Sequence, residues 1–453
     1  MASSTSSAAR ARVASFGVAA LGALVVLAAW QATDDAALGA VARVRAPLGL
    51  APTPPSAGPV LRYDAEYPTI PYLRAPRSDA VAALIERLGR GEAKLDYLPP
   101  RGYLDALLAA LDIDPASQIL VYSQTSLQSE LIGPRTPRAI YFNDDVYVAF
   151  VQQGPIEIAA LDPNLGPVFY LLDQNAVARP KFSAELARCL SCHDSYSLSG
   201  GGVPRFIVGS GYTGTMGQLV SHEGWILITD RTPLKSRWGG WYVTGRHGDQ
   251  VHLGNMVIKT LYDFDKLEEL RAGNRDTLDG LFDVTPYLTD KSDIVALLVF
   301  QHQADVQNLI TRLAYDARTP ADDQAELVAE TVERLLRAML FVDAVEYTAP
   351  ISGDSLFVEQ FARRAARDPL GRSLRDLDLT RRLFRYPLSF VIHSPAFDAL
   401  PDAAQRAFYR RLNEVLGGTD TSEDFAHLTA EDRTAILDIL TAIKPEFTVA
   451  VAD

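Results

Sequence analysis

The sequence predicts an α+β fold: a β-rich central body, an antiparallel sheet or sandwich, followed by an all-helical C-terminal region. Two observations lead there. Between Gln118 and Leu172, short runs rich in Val, Ile, Tyr and Phe are separated by turn residues such as Asn143–Asp144–Asp145 and Gly154–Pro155. From about residue 290 onward the apolar residues recur at helical spacing instead, as with Leu327, Val328, Leu335 and Met339.

The chain has 453 residues, 48% of them apolar, and a net charge of −13. That length carries two domains with cores of their own, and that composition is globular. A dispersed acidic charge argues against nucleic acid, whose phosphates require a basic face. It also offers no polybasic patch to anionic lipid.

Taken in order, residues 1–32 read as a signal sequence or an N-terminal membrane anchor. Arg10 and Arg12 precede Val13–Trp30, which carry no charge. The run is just long enough to span a bilayer, and the best small-x-small cleavage site, Ala37–Leu38–Gly39, sits late. Cleaved signal and retained anchor therefore both stay open. Either places the body in the periplasm, or facing it from the inner membrane, with membrane contact only through this segment. Residues 33–77 read as a Pro-rich linker, with Pro47, Pro52, Pro54, Pro55, Pro59, Pro68, Pro71 and Pro76. The β-rich domain is expected over 78–290. It opens with helices near 78–90 and 101–112 and continues with strands at 118–123, 139–143, 146–151, 156–160 and 168–172. Further strands are expected at 204–209, 225–229 and 240–244. The helical domain is expected over 291–453. Its helices include 320–341 and 402–416, and Thr429–Ala430–Glu431–Asp432 resembles a capping box ahead of Ile436, Leu437 and Leu440.

The only cysteines are Cys189 and Cys192, in the run Cys189–Leu190–Ser191–Cys192–His193. A disulfide between them would close a very small loop and stabilise little. Zinc needs four ligands, and no second cysteine cluster exists. A redox pair usually sits in a thioredoxin-like βαβ setting, which this pattern lacks. Cys-x-x-Cys-His is the attachment signature of c-type haem, and it points to one covalent haem c. Two cysteines one helical turn apart present their thiols to the same side, where the two vinyl groups of a porphyrin can take them as thioethers. His193 then becomes the proximal iron ligand, with its other ring nitrogen donating to a carbonyl. Phe182, Leu186 and Leu190, at helical spacing, supply the helix.

Through Cys189, Cys192 and His193 the chain resembles c-type cytochromes, within the motif alone. Small helical cytochromes carry a distal methionine well downstream, among helices. Here Met256 lies downstream, but in the strand-like Val251–Lys259. The stretch from Arg237–Trp238–Gly239–Gly240–Trp241 to Gly245–Arg246–His247–Gly248, then His252–Leu253–Gly254–Asn255, is distinctive. With the haem motif it resembles a family of large exported bacterial proteins with one attachment site. That resemblance spans most of 115–445 and implies no particular reaction.

The distal iron ligand decides between carrier and catalyst. Met256 and His252 are candidates from their place beside the Trp- and Arg-rich stretch. His302 is another, because it shares a helical face with Val306, Leu309 and Leu313. Arg237, Trp238, Trp241 and Arg246 are either donors to the haem propionates or an aromatic-packed turn with surface arginines. Gly209–Ser210–Gly211–Tyr212–Thr213–Gly214 matches the dinucleotide fingerprint, but Thr215–His222 is short for its helix and includes Gly217. A close fit to haem or to a sheet turn explains these glycines better. No catalytic residue stands out. The first expectation is electron transfer with redox partner proteins that dock through basic surfaces. The alternatives are a haem-dependent oxidoreductase, peroxidase-like or oxidising a small molecule, and a haem-based ligand sensor or binding module.

Overall fold

Strands with side chains alternating between two apolar layers organise the chain. The structure, a computed structural model, describes residues 70–452 except 185, 196–201 and 321. The expected signal or anchor (1–32) and residues 33–69 of the expected linker lie outside the described residues. Ile70 and Tyr72, at the far end of that linker, are buried, and the Tyr72 hydroxyl donates to the Pro167 carbonyl at 2.5 Å. These two apolar residues tie this end of the expected linker to the folded body.

Six strands form one antiparallel meander in chain order: β1 Ile119–Val121, β2 Arg138–Phe142, β3 Val146–Phe150, β4 Ile156–Asp162, β5 Gly166–Leu172 and β6 Phe182–Ser183. The turns are built by side chains. Asn143 Oδ1 accepts from the N–H groups of Asp145 and Val146 between β2 and β3. Asp162 Oδ1 does the same for Asn164 and Leu165 between β4 and β5. One face of the sheet, with Tyr141, Val148, Ile158 and Leu172, packs with α1 (Ala80–Gly89) and α2 (Leu104–Ala110). The other face, with Ile140, Phe142, Tyr147 and Ala149, belongs to a core shared with the C-terminal helices. This is the period-two burial that the alternating runs predict.

Helix α3 (Leu186–His193) follows β6, and β7 (Gly209–Ser210) pairs with β8 (Ile226–Leu227) in a small second sheet. The strand expected at 204–209 is reduced to the first residue of β7, that at 225–229 to β8, and that at 240–244 to isolated bridges. Glycines and side-chain contacts divert the backbone here. The segment still pairs with the edge of β1, since Tyr242 N–H donates to the Leu120 carbonyl at 2.9 Å and Tyr122 N–H to the Gly240 carbonyl at 2.8 Å.

The helical region holds α4 (Ile294–Arg318), α5 (Gln324–Met339), α6 (Ser355–Arg363), α7 (Asp402–Leu416), α8 (Ala430–Ile443) and α9 (Pro445–Ala452). The capping box at Thr429 and Asp432 starts α8. Helix α4 is buried on nearly every side. Its buried amides bind the sheet: Gln303 Nε2 donates to the Asn143 carbonyl at 2.9 Å, and Gln307 Nε2 to the Asp144 carbonyl at 2.6 Å. The apolar core therefore runs without a break from the sheet into the helices, and residue 290 does not separate two cores. Among the described residues no helix is long and apolar enough to cross a membrane.

Asp79 joins two layers. Its Oδ1 caps α1 by accepting from Val81 and Ala82, and its Oδ2 accepts from the Tyr170 hydroxyl of β5 at 2.6 Å. Asp79→Ala removes a cap worth about 1 kcal/mol and leaves a buried hydroxyl unpaired at about 1–3 kcal/mol. The expected loss, about 2–4 kcal/mol in urea unfolding, should be smaller for Asp79→Asn. An unchanged midpoint for Asp79→Ala would contradict this role.

Candidate functional site

Helix α3 is short and ends at His193, with Leu190 buried as its anchor against the core under β5. Cys189 is half-buried and Cys192 exposed, and no disulfide joins them. The His193 ring packs against Phe169 of β5, with centroids 4.4 Å apart.

His193 is held at two points by one residue. The Arg205 N–H donates to the His193 carbonyl at 3.0 Å, and His193 Nδ1 lies 2.7 Å from the Arg205 carbonyl oxygen. A carbonyl only accepts, so Nδ1 carries the proton and Nε2 keeps its lone pair. Burial lowers the pKa of the ring below the ordinary histidine value, and the Arg138 charge adds to this against the opposing Arg205 hydrogen bond. The result is a neutral imidazole with a defined tautomer, the form that binds a metal.

Cys189, Cys192 and His193 all line one cavity of about 520 Å³. That size lies in the usual range for bound small molecules and cofactors, about 300–1,000 Å³. The sheet supplies one wall through Ile140, Tyr147, Ala149, Ala159 and Phe169, and Phe206, Trp225, Trp241 and Phe300 enclose it. The polar part of the wall is an ion pair. Arg138 Nη1 donates to Glu157 Oε2 at 2.8 Å, and Glu157 Oε1 accepts from Ser126 at 2.5 Å and Gln128 at 2.9 Å. Burial pushes the Glu157 carboxyl up, but Arg138 and these hydrogen bonds outweigh it and leave the group below its ordinary value. Arg138 Nε is buried in the wall with no partner. An orphaned guanidinium N–H beside an apolar cavity suits an acidic group on whatever occupies it.

The distal candidates are not brought to this cavity. Met256 sits in a separate cluster with Leu253 and Ile258. His252 accepts from the Gly254 N–H at Nδ1, 3.0 Å, and packs edge-on against Trp238 and His247. Its burial, with the neighbouring His247 and Arg271, drives its pKa to about 3. His302 does point inward, but both ring nitrogens are engaged: Nδ1 lies 2.6 Å from Asp230 Oδ2 and Nε2 2.8 Å from Ser389 Oγ. Ser389, His302 and Asp230 follow the order of a nucleophile, base and orienting acid. Ser389 is fully buried, however, and caps a turn by accepting from the Val391 N–H. The chain of bonds ties α4 to its neighbours.

Arg237 is buried and donates to the carbonyls of Thr232 and Asp230, both at 2.7 Å. Trp238 bonds Gln301, and Arg246 is an exposed partner of Asp276. Of that group only Trp241 lines the cavity, while its indole N–H donates to the Gly209 carbonyl at 2.8 Å. The glycine-rich run serves packing. A Cβ at Gly209 would fall inside the Trp225 indole, and Gly211 lies against the backbone of Gly239. No α-helix follows over 215–222 to hold a pyrophosphate.

Sequence reasoning missed Arg138 and Glu157. Each is a single charge at a cavity-facing position of a strand, two residues from Ile140 and Ala159 respectively, and that misplaced polarity was the available signal. Among the described residues no group of three or more His, Cys, Asp or Glu is arranged to hold a metal ion. A metal at His193 would have to bring most of its other ligands with it. Compared with known proteins, the chain matches no family model, no curated protein and no solved structure.

The histidine environments are testable by NMR titration of the cofactor-free chain. His252 should stay neutral down to about pH 3, and His193 should titrate below 6.5. Burial disfavours the charged ring, so both midpoints must move down. A His193 midpoint at or above 6.5 would contradict the site geometry.

Proposed function

We propose that this chain is an exported monohaem c-type cytochrome that transfers electrons in the bacterial cell envelope. One observation carries the reading: two thiols one helical turn apart and a neutral imidazole, held with its Nε2 lone pair available, all line a single apolar cavity. Other arrangements of Cys-x-x-Cys-His account for less of this. A thiol redox pair needs no such cavity, and zinc needs further ligands.

When bound, the haem supplies a one-electron change at its iron. The chain's own residues do the rest. Cys189 and Cys192 would hold the group through thioethers, and His193 would ligate its iron. Phe169, Phe206, Tyr147 and Trp241 give the cavity apolar walls. Burial on this scale raises the electrostatic influence of nearby charges. Arg138, whose Nε–H is buried without a partner beside the cavity, would supply positive charge to an acidic group of the bound cofactor. Arg10, Arg12 and the uncharged Val13–Trp30 direct the chain to the periplasm, where it stays free or anchored. The net charge of −13 steers it toward partners with basic docking surfaces, so the rate of electron exchange falls as salt rises.

A second reading has its own support. The described lining residues include the Arg138–Glu157 pair, and they hold neither a methionine nor a histidine other than His193. That favours a haem-dependent oxidoreductase or a ligand sensor, in which the bound cofactor would accept an outside ligand.

Optical spectra of the protein produced with cytochrome c maturation separate these readings. Covalent haem with a reduced spectrum unresponsive to carbon monoxide fits the electron carrier. A ready carbon monoxide shift fits the second reading. Cys192→Ala should lose one thioether, and His193→Ala should lose normal axial ligation. Wild-type spectra for both variants would refute the site.

A further inference from the structure

The carbonyl that receives the His193 proton belongs to a peptide group that is gripped at its other end as well. The Arg205 C=O and the Phe206 N–H are the two polar ends of one planar amide. His193 Nδ1 meets the oxygen at 2.7 Å, and the N–H donates to Asn308 Oδ1 at 2.7 Å. Asn308 Nδ2 then donates back to the Phe206 carbonyl at 2.9 Å. The Asn308 carboxamide thus pairs with both backbone groups of Phe206 as a neighbouring strand would. Asn308 is 7% exposed and stands on α4, the most deeply buried helix. The segment it holds is otherwise irregular, since residues 203–208 form no strand or helix.

From this geometry we infer that Asn308 is a positioning residue that sets the tautomer and the basicity of His193 through the Arg205–Phe206 peptide. Two effects combine. The paired bonds fix where the Arg205 carbonyl stands, and hence which way the imidazole faces. A peptide that donates through its N–H also becomes a stronger acceptor at its oxygen, because bonds in series polarise one another. The Nδ1–H bond is strengthened, and electron density moves to Nε2. Partners beyond the ligand orient a ligating histidine and raise its basicity. The inference rests on the haem reading for its consequence at iron, but the control of His193 holds with or without haem. Phe206 gives Asn308 a second effect, since its ring lines the cavity and packs 4.6 Å from the Tyr147 ring.

The test uses the full chain, ¹⁵N-labelled at histidine, without haem and then with it. His193 signals are assigned from a His193→Gln variant. In the unaltered haem-free chain His193 should show a protonated Nδ1 with a downfield, slowly exchanging proton. Asn308→Leu should shift that proton upfield and populate the other tautomer. Asn308→Asp, which keeps an acceptor for the Phe206 N–H, should retain the wild-type tautomer. Thr331→Val is the control for stability alone: it breaks a buried bond from Thr331 to Asp316 at 2.7 Å, away from the cavity, and should leave His193 unchanged. In the haem-loaded protein Asn308→Leu should raise the midpoint potential, because a less basic axial ligand stabilises the oxidised iron less. An Nε2–H tautomer in the unaltered chain would overturn the inference whatever the variants do. So would a wild-type His193 signal in Asn308→Leu, or equal changes in Thr331→Val. A chain that never acquires haem would instead refute the haem reading, with the tautomer still deciding the role of Asn308.

Discussion

The hydrogen bond from His193 Nδ1 to the Arg205 carbonyl is the constraint on which the chemistry of this molecule turns. A histidine at the end of a short helix has many orientations available, and His193 lines the cavity in one of them. The bond selects it, and burial of the ring keeps it neutral. Much of the fold acts to make that bond dependable. The meander gives α3 a flat apolar surface through Phe169, α4 holds the acceptor peptide through Asn308, and the sheet is held to α4 by Gln303 and Gln307.

This arrangement joins the cavity to the main apolar core of the described residues. The core between the sheet and the helices shares Ile140, Tyr147, Phe206, Trp241 and Phe300 with the wall of the cavity. The ion pair of Arg138 and Glu157 marks the polar end of the cavity. Most of its valences are satisfied within the protein, and the one left over, Arg138 Nε, points to an acidic group as partner.

The sheet was legible in the sequence because β2 to β5 alternate buried side chains with turn residues that bond their own backbone, as at Asn143 and Asp162. The helical end was legible from its spacing and from the Thr429 capping box. The region from 203 to 290 was not. Its backbone is held by side chains from distant elements, such as Asn308 on Phe206 and Ser292 on Tyr242, and local propensity carries no trace of such partners. The same limit applies to the site. Cys189, Cys192 and His193 announce themselves by adjacency. His302 does face inward, but Asp230 and Ser389, far away in sequence, decide what its nitrogens do. His252 and Met256 looked close to the site along the chain and are packed elsewhere.

The central claim is covalent haem at Cys189 and Cys192 with His193 on the iron. The intact mass of the denatured chain, after production with cytochrome c maturation, tests it most directly. The account predicts a chain heavier by one haem, with the added mass lost when both cysteines are replaced by alanine. A denatured chain at its bare polypeptide mass, from cells that mature other c-type haem proteins normally, would contradict it.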